Sequence, residues 1–420
     1  MRWLLAGLIV AAVASRLAAT WYLWNPDHTG MEYGNIASHL AQGHGFAISL
    51  NHFWPSDPPV MTTRWMMPFY PVLLAGSKLL TPDQPRWYLD VYILQSVLGG
   101  AIAWLLYRLG SGLYGPRAGL FAGAIFCLVP TFAYYCARPH PMYWELTALL
   151  LALLACRAFV AGGGMGHVAG CALATAWAIY IRSAWTLLVP VVMLLIVGVA
   201  RGRGRCLRAI ALFGAIVALA VTPWAVRNYL AFRSFGLTCL EFPFWEGHNS
   251  LGQPTAYGPD GRNISNVRLF HPREWAALSA VRDEGEQAIM GVFRRAAWRA
   301  VRERPCHQLA VLPATRAWYF LSWDPNHYAT LDWKLYRLPY LALLISGVGG
   351  LALSWRRPRV PRRFVFGSVL GMWVAGCATV AAFHYLPRFR MPAELMLMLP
   401  AGYFLDRLLS LLTRRRAAQP

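Results

Sequence analysis

The sequence predicts an all-α polytopic membrane protein of about ten transmembrane helices. Three observations carry this. Of its 420 residues, 57% are hydrophobic and the mean hydropathy is +0.40, more apolar surface than a soluble core of this length buries. Apolar runs such as 4–23, 118–135, 146–160 and 207–221 recur along the whole chain, several near the roughly 20 residues a spanning helix needs. Much of the net charge of +21 lies in short loops between those runs. Such a charge spread over one soluble face would suggest nucleic acid, but its confinement to loops speaks for membrane orientation, so no nucleic-acid partner is expected.

The first apolar segment, 3–23, has no small-residue cleavage pattern before Asn25 and reads as a retained helix with the N-terminus inside. The run 68–80 is short for a span. If it crossed, Arg108 and Arg117 would fall on the same side as the first external loop, breaking the positive-inside rule, so it reads as an interfacial helix. Spans then follow at about 89–107, 118–136, 142–160, 168–183, 185–200, 208–224, 337–355, 364–384 and 394–412. This threading puts Arg2, Arg108, Arg117, the 201–208 arginines, the 356–363 arginines and Arg414–Arg416 on one face, the cytoplasmic one, with both termini.

Three parts result: an N-terminal membrane module, 1–224, whose first external loop is 24–88; a long external loop, 225–336; and C-terminal membrane helices, 337–420. The long loop is turn-rich over 247–261 and helical over 273–304. Its stretch 309–323, with Pro313, Arg316 and Trp318, reads as a second interfacial helix. The eight cysteines show no metal-ligand spacing; only Cys239 and Cys306 fall in a long polar loop, where they either pair or, as the better reading, stay free.

The polar residues that invite chemistry lie on the external side. Directly after the first helix come Asn25-Pro-Asp-His-Thr-Gly-Met-Glu-Tyr-Gly-Asn-Ile-Ala-Ser-His-Leu-Ala-Gln-Gly-His-Gly-Phe46 and then Thr63-Arg-Trp-Met-Met-Pro-Phe-Tyr-Pro71. Thr222-Pro-Trp-Ala-Val-Arg-Asn-Tyr229 ends one span externally, and Tyr385-Leu-Pro-Arg-Phe-Arg-Met-Pro392 precedes the last. In the long loop stand His271-Pro272 and Gly285-Glu286.

Taken together, these stretches resemble the external loops of the GT-C glycosyltransferases related to the protein O-mannosyltransferases and the lipid A aminoarabinose transferase (glycosyltransferase family 39-like). The resemblance implies GT-C-like external loops and interfacial helices, and a sugar taken from a polyprenyl-phosphate carrier and passed to a glycan, lipid or protein acceptor by inverting displacement. It also implies that an acid after the first helix is the base. Many relatives place that acid two to four residues before the tyrosine, whereas here Glu32 directly precedes Tyr33 and Asp27 lies six before it; Glu32 ranks first, Asp27 second.

A carboxylate there would deprotonate the acceptor while the lipid phosphate leaves, and a leaving phosphate needs positive charge. Arg388 and Arg390, Arg227, and with them Arg138, Arg182 and Tyr33, stand on the external side at the level of the acid, where bidentate guanidinium groups suit phosphate. Singly, Arg138 and Arg182 read as headgroup anchors. No cofactor is demanded; His28, His44, His52 and His140 with Asp27 offer a divalent ion no fixed spacing, so metal dependence is the minority reading. The alternative from another class is a transporter or flippase for a lipid-linked anion, which the lack of an internal repeat disfavours. The arginine- and alanine-rich style points to a bacterial inner membrane, with membrane lipids as constant partners.

Overall fold

A computed structural model describes residues 1–23, 31–51, 53–81, 88–199, 202–249, 252, 271–323, 331–355 and 362–417. Asp27, His28 and His52, named above, lie outside the described residues. In chain order the elements are α1 (Arg2–Leu23), α2 (Met31–Ala41), β1 (Ala47–Ser49), β2 (Val60–Thr62), α3 (Phe69–Leu80), α4 (Leu89–Tyr114), α5 (Pro116–Leu128), α6 (Pro130–Cys136), α7 (Met142–Val160), α8 (Met165–Ile181), α9 (Leu188–Val199), α10 (Arg203–Phe232), α11 (Glu241–His248), α12 (Pro272–Ala280), α13 (Glu286–Glu303), α14 (Cys306–Leu321), α15 (Leu331–Trp355), α16 (Arg362–Ala382) and α17 (Met391–Ala417).

The chain is an all-α polytopic membrane protein, and ten spans is an approximation. Among the described residues seven helices, α1, α4, α7, α10, α15, α16 and α17, are long and apolar enough to cross a bilayer by themselves, and the bent pair α5–α6 raises the number to 8. The two remaining expected spans fall on shorter apolar helices, α8 and the Ser183–Gly198 segment that contains α9. The expected interfacial segments are α3, of 12 residues, and α14, of 16. One element went unforeseen: β1 pairs antiparallel with β2, Ala47 opposite Thr62, inside the first external loop.

Small residues let the helices close on one another. A Cβ on Gly350 of α15 would run into the Pro400 carbonyl of α17, so only glycine fits that crossing. The membrane core continues through Leu106, Phe126, Leu149 and Met396, all fully buried. A second core sits outside it, where Ile48, Phe53 and Trp65 of the first external loop pack on Phe242, Trp245 and Phe293 of the long loop.

The two ends of the bundle are held by different contacts. At one end Arg157 donates to the Gly112 carbonyl (2.6 Å), Arg205 to that of Gly163 (2.6 Å) and Arg363 to that of Gly198 (2.9 Å), which draws the expected cytoplasmic loops together. At the other end α2, the 137–141 turn, α11 and the segment after α16 come together: the Tyr33 ring lies 6.3 Å from that of His140, and His384 lies 3.7 Å from Glu246.

Between them a charged side chain holds a broken helix. Pro130 has no N–H to give the Phe126 carbonyl four residues back, and α5 and α6 part by 62°. Fully buried Arg16 of α1 replaces that donor: Nη2 reaches the Phe126 carbonyl at 2.6 Å, Nη1 the Cys127 carbonyl at 3.1 Å and Nε the Tyr143 hydroxyl at 3.2 Å. The hydroxyl then donates to the Phe132 carbonyl beyond the bend (2.8 Å). Arg16→Met keeps the volume and removes the donors, leaving two carbonyls unsatisfied in an apolar slab. We expect a loss of about 2–4 kcal/mol, read as a lower melting temperature in detergent micelles.

Candidate active site at the outer end

After the bend, the chain runs into the 137–141 turn, which Gln95 of α4 fixes. Its amide Nε2 donates to the carbonyls of Cys136 (2.8 Å) and Arg138 (3.0 Å), while its Oε1 accepts from the Tyr70 hydroxyl of α3 (2.9 Å). Tyr70 stands edge-on to Tyr33, with centroids 5.4 Å apart. The first external loop and the 137–141 turn are thus positioned by one polar contact inside the helix bundle.

Glu32 sits in the first turn of α2, half-buried, where the helix dipole favours a carboxylate. Beside it Tyr33 is buried, which raises its phenol pKa; the charges of Arg182, Glu145, Arg388 and Glu32 all act on that one hydroxyl. The acid and two of the expected arginines are therefore gathered round Tyr33. Arg182, directly after α8, pairs with Glu145 of α7 at 3.4 Å and lies 5.3 Å over the Phe389 ring. Glu145 also accepts from the Trp185 indole at 3.0 Å. Arg388 lies 5.7 Å from the same Phe389 ring, and Arg138 stacks 4.9 Å from the Tyr134 ring. The Nε atoms of Arg138 and Arg388 are buried with no acceptor among the described residues.

Two groups that the sequence reading did not single out complete the cluster. Glu246 of α11 is pushed up to about 8 by burial, with Glu32 adding to the rise and Arg388 opposing it. His384, just past α16, is pushed down to about 3 by burial and by Arg388 and Arg316. Their 3.7 Å separation would suit an ion pair. With those shifts it is a neutral carboxyl facing a neutral imidazole near pH 7. An acid at the head of the apolar run 146–160 was the available signal for Glu145, because such residues inside membranes are costly. Glu246 lay among aromatic residues in a long loop and gave none.

The other expected arginines sit elsewhere. Arg390 is buried and pairs with Glu394 at 2.7 Å, donates to the Ser322 carbonyl at 2.6 Å and covers the Tyr340 ring at 3.6 Å. Arg227 of α10 donates to the Thr63 carbonyl (2.8 Å) and to Asn228 Oδ1 (3.0 Å). It thereby belongs to a second cluster, in which buried Glu286 accepts from the Thr63 hydroxyl, the Arg64 amide (3.1 Å) and the Cys239 thiol (3.2 Å). Arg64 stands 3.8 Å from Glu241 and 3.9 Å from Glu286, so this cluster ties the first external loop to α11 and α13. Cys239 and Cys306 are both free thiols. His44 contacts His39 at 3.2 Å, and among the described residues no three His, Cys, Asp or Glu side chains could hold a metal together.

No family model matches the sequence, and no curated protein matches it. Solved structures do match. The archaeal oligosaccharyltransferase AglB from Archaeoglobus fulgidus, in complex with an inhibitory peptide and a dolichol-phosphate, superposes with a TM-score of 0.58 at 15% identity, over 99% of this chain and 51% of its own. An Archaeoglobus fulgidus oligosaccharyltransferase in complex with Zn and sulfate gives 0.56 at 16% identity, over 98% and 50%. ArnT from Cupriavidus metallidurans in the apo state gives 0.41 at 16% identity, over 96% and 78%. The chain shares the fold of these oligosaccharyltransferase chains and spans about half their length.

The two shifted groups give stability opposite pH slopes. Folded Glu246 keeps a proton that the unfolded chain sheds above its ordinary 4.5, so its contribution is lost as pH rises toward about 8. Folded His384 refuses a proton that the unfolded chain takes below its ordinary 6.5, so stability is also lost as pH falls below that value. We expect melting temperatures in detergent to be level between about pH 4.5 and 6.5 and to fall on both sides, and Glu246→Gln to remove the alkaline fall and to move the onset of the acid fall up toward 6.5.

Proposed function

We propose that the chain is a GT-C-type glycosyltransferase that moves a sugar from a polyprenyl-phosphate donor to an acceptor at the non-cytoplasmic face of a bacterial inner membrane. The observation that carries this is the convergence of a helix-N-terminal carboxylate, Glu32, with Arg388 and Arg182 around the buried Tyr33 hydroxyl, at the opposite end of the bundle from the loop arginines. The likeness in fold to a transferase solved with a dolichol-phosphate supports it. Both termini are placed in the cytoplasm, because the positive-inside rule assigns that side to the arginine-rich loops.

The chemistry is one displacement. Glu32 accepts the proton of an acceptor hydroxyl or amine as that atom bonds to the anomeric carbon. On the opposite face the bond to the phosphate oxygen breaks and polyprenyl phosphate departs, inverting the centre. Charge builds on the departing oxygen, and Arg388 and Arg138 are the guanidinium groups proposed to donate to it. Arg182, held by Glu145, adds charge at a fixed position. Glu246, neutral near pH 7, does not compete with Glu32 for the proton. Arg390 and Arg227, engaged within the fold, act as positioning residues, and Asp27 is the second choice for the base.

Purified enzyme given a polyprenyl-phosphate sugar should release polyprenyl phosphate, and Glu32→Gln should slow that release by about 100- to 10,000-fold. Equal turnover in the variant would remove Glu32 as base, and unchanged lipid translocation in liposomes alongside it would favour a flippase. Arg388→Gln should cost about 100-fold in kcat while leaving the melting temperature near wild type. Arg390→Gln strands buried Glu394 and should instead destabilise the fold by about 3–5 kcal/mol.

A further inference from the structure

The helix α13 presents two unlike faces. Inward, Ile289, Phe293, Ala296 and Ala297 are buried against Phe53, Phe242 and Trp245. Outward, Arg294, Arg295, Trp298, Arg299, Arg302 and Glu303 are all exposed and line an open groove of about 620 Å³. Four guanidinium groups with one carboxylate among them is a self-repelling arrangement: Arg295 and Arg299 are four apart, Arg299 and Arg302 three. None of the four arginines is in an ion pair with another described residue. Trp298, 49% exposed, packs its ring 5.5 Å from that of Phe244, two residues before Glu246 on α11. The cationic groove therefore borders the helix that supplies a carboxyl to the active site.

We infer that this face of α13 binds the acceptor, and that the acceptor is a polyanionic glycan bearing carboxylate or phosphate groups. The inference rests on the transferase reading above and names its substrate class. Planar guanidinium forks in a row match oxyanions spaced along a chain, and an exposed indole beside them offers a flat apolar surface to a sugar ring. A membrane surface is the poorer occupant. A helix that lies on lipid inserts its apolar face, and the apolar face of α13 is spent on the protein core.

The test is direct binding to the full-length chain in neutral-lipid nanodiscs, with fluorescent oligogalacturonate and inorganic polyphosphate as probes and a neutral dextran oligomer as control. At least one anionic probe should bind at least about tenfold more tightly than dextran, and binding should weaken as salt rises. The variant R294Q/R295Q/R299Q/R302Q should lose that preference, whereas the four Arg→Lys changes, which keep the charge, should retain part of it. Binding that is equal for dextran and the anions, or unchanged in the Gln variant, overturns the inference; so does displacement of the probe by anionic vesicles in preference to soluble anionic oligomer. The Gln variant should still release polyprenyl phosphate to water at the wild-type rate. A failure of that release in the wild type would overturn the transferase reading, while a failure of anion binding alone overturns only the acceptor class.

Discussion

A backbone interrupted inside lipid must find its hydrogen bonds from the protein, and in this chain the rest of the site depends on how that is done. Pro130 turns α5 into α6 by 62° and deprives the Phe126 carbonyl of its donor; Arg16 supplies one from α1, and Tyr143 bridges to the far side of the bend. The same bend delivers Arg138 to the outer end, with Gln95 setting the height of the turn. An arginine in the first helix and a glutamine in α4, both fully buried, thereby fix the bend and the turn that follows it.

The polar residues outside the membrane divide into two groups with different tasks. Around Glu286 the Thr63 hydroxyl, the Arg64 amide and the Cys239 thiol all donate to one carboxylate, and the group locks the first external loop to α11 and α13. Around Tyr33 the charges of Glu32, Glu145, Arg182 and Arg388 are gathered, and the buried Nε–H of Arg388 has no acceptor among the described residues.

The alternation of apolar runs and arginine loops made the membrane architecture legible, because lipid punishes polar residues and the charge rule fixes sides. The short helices α8 and α9 blur the count, since apolar content does not tell a full crossing from a partial one. The small sheet was invisible: Ala47–Ser49 and Val60–Thr62 are three residues each, too short for an alternating pattern. At the site, motif position pointed equally to Arg388 and Arg390, and only packing separates them. Arg390 is captured by Glu394, four residues on, a pairing the sequence permits but does not demand. Glu246 and His384 come together from segments more than a hundred residues apart, and no local pattern announces that.

Arg316 of α14 joins what would otherwise be independent pieces. Its guanidinium donates to the Gly247 carbonyl in α11 and, at 3.2 Å, to the Ala381 carbonyl in α16, while α14 turns Val311 and Trp318 outward. A Cβ on Gly247 would collide with the Phe383 carbonyl, so the two backbones lie flush. Glu246 and His384 each stand next to one of these joints. One guanidinium on α14 thus fixes the backbones on either side of the Glu246–His384 contact, so a shift of α14 would be felt at that contact.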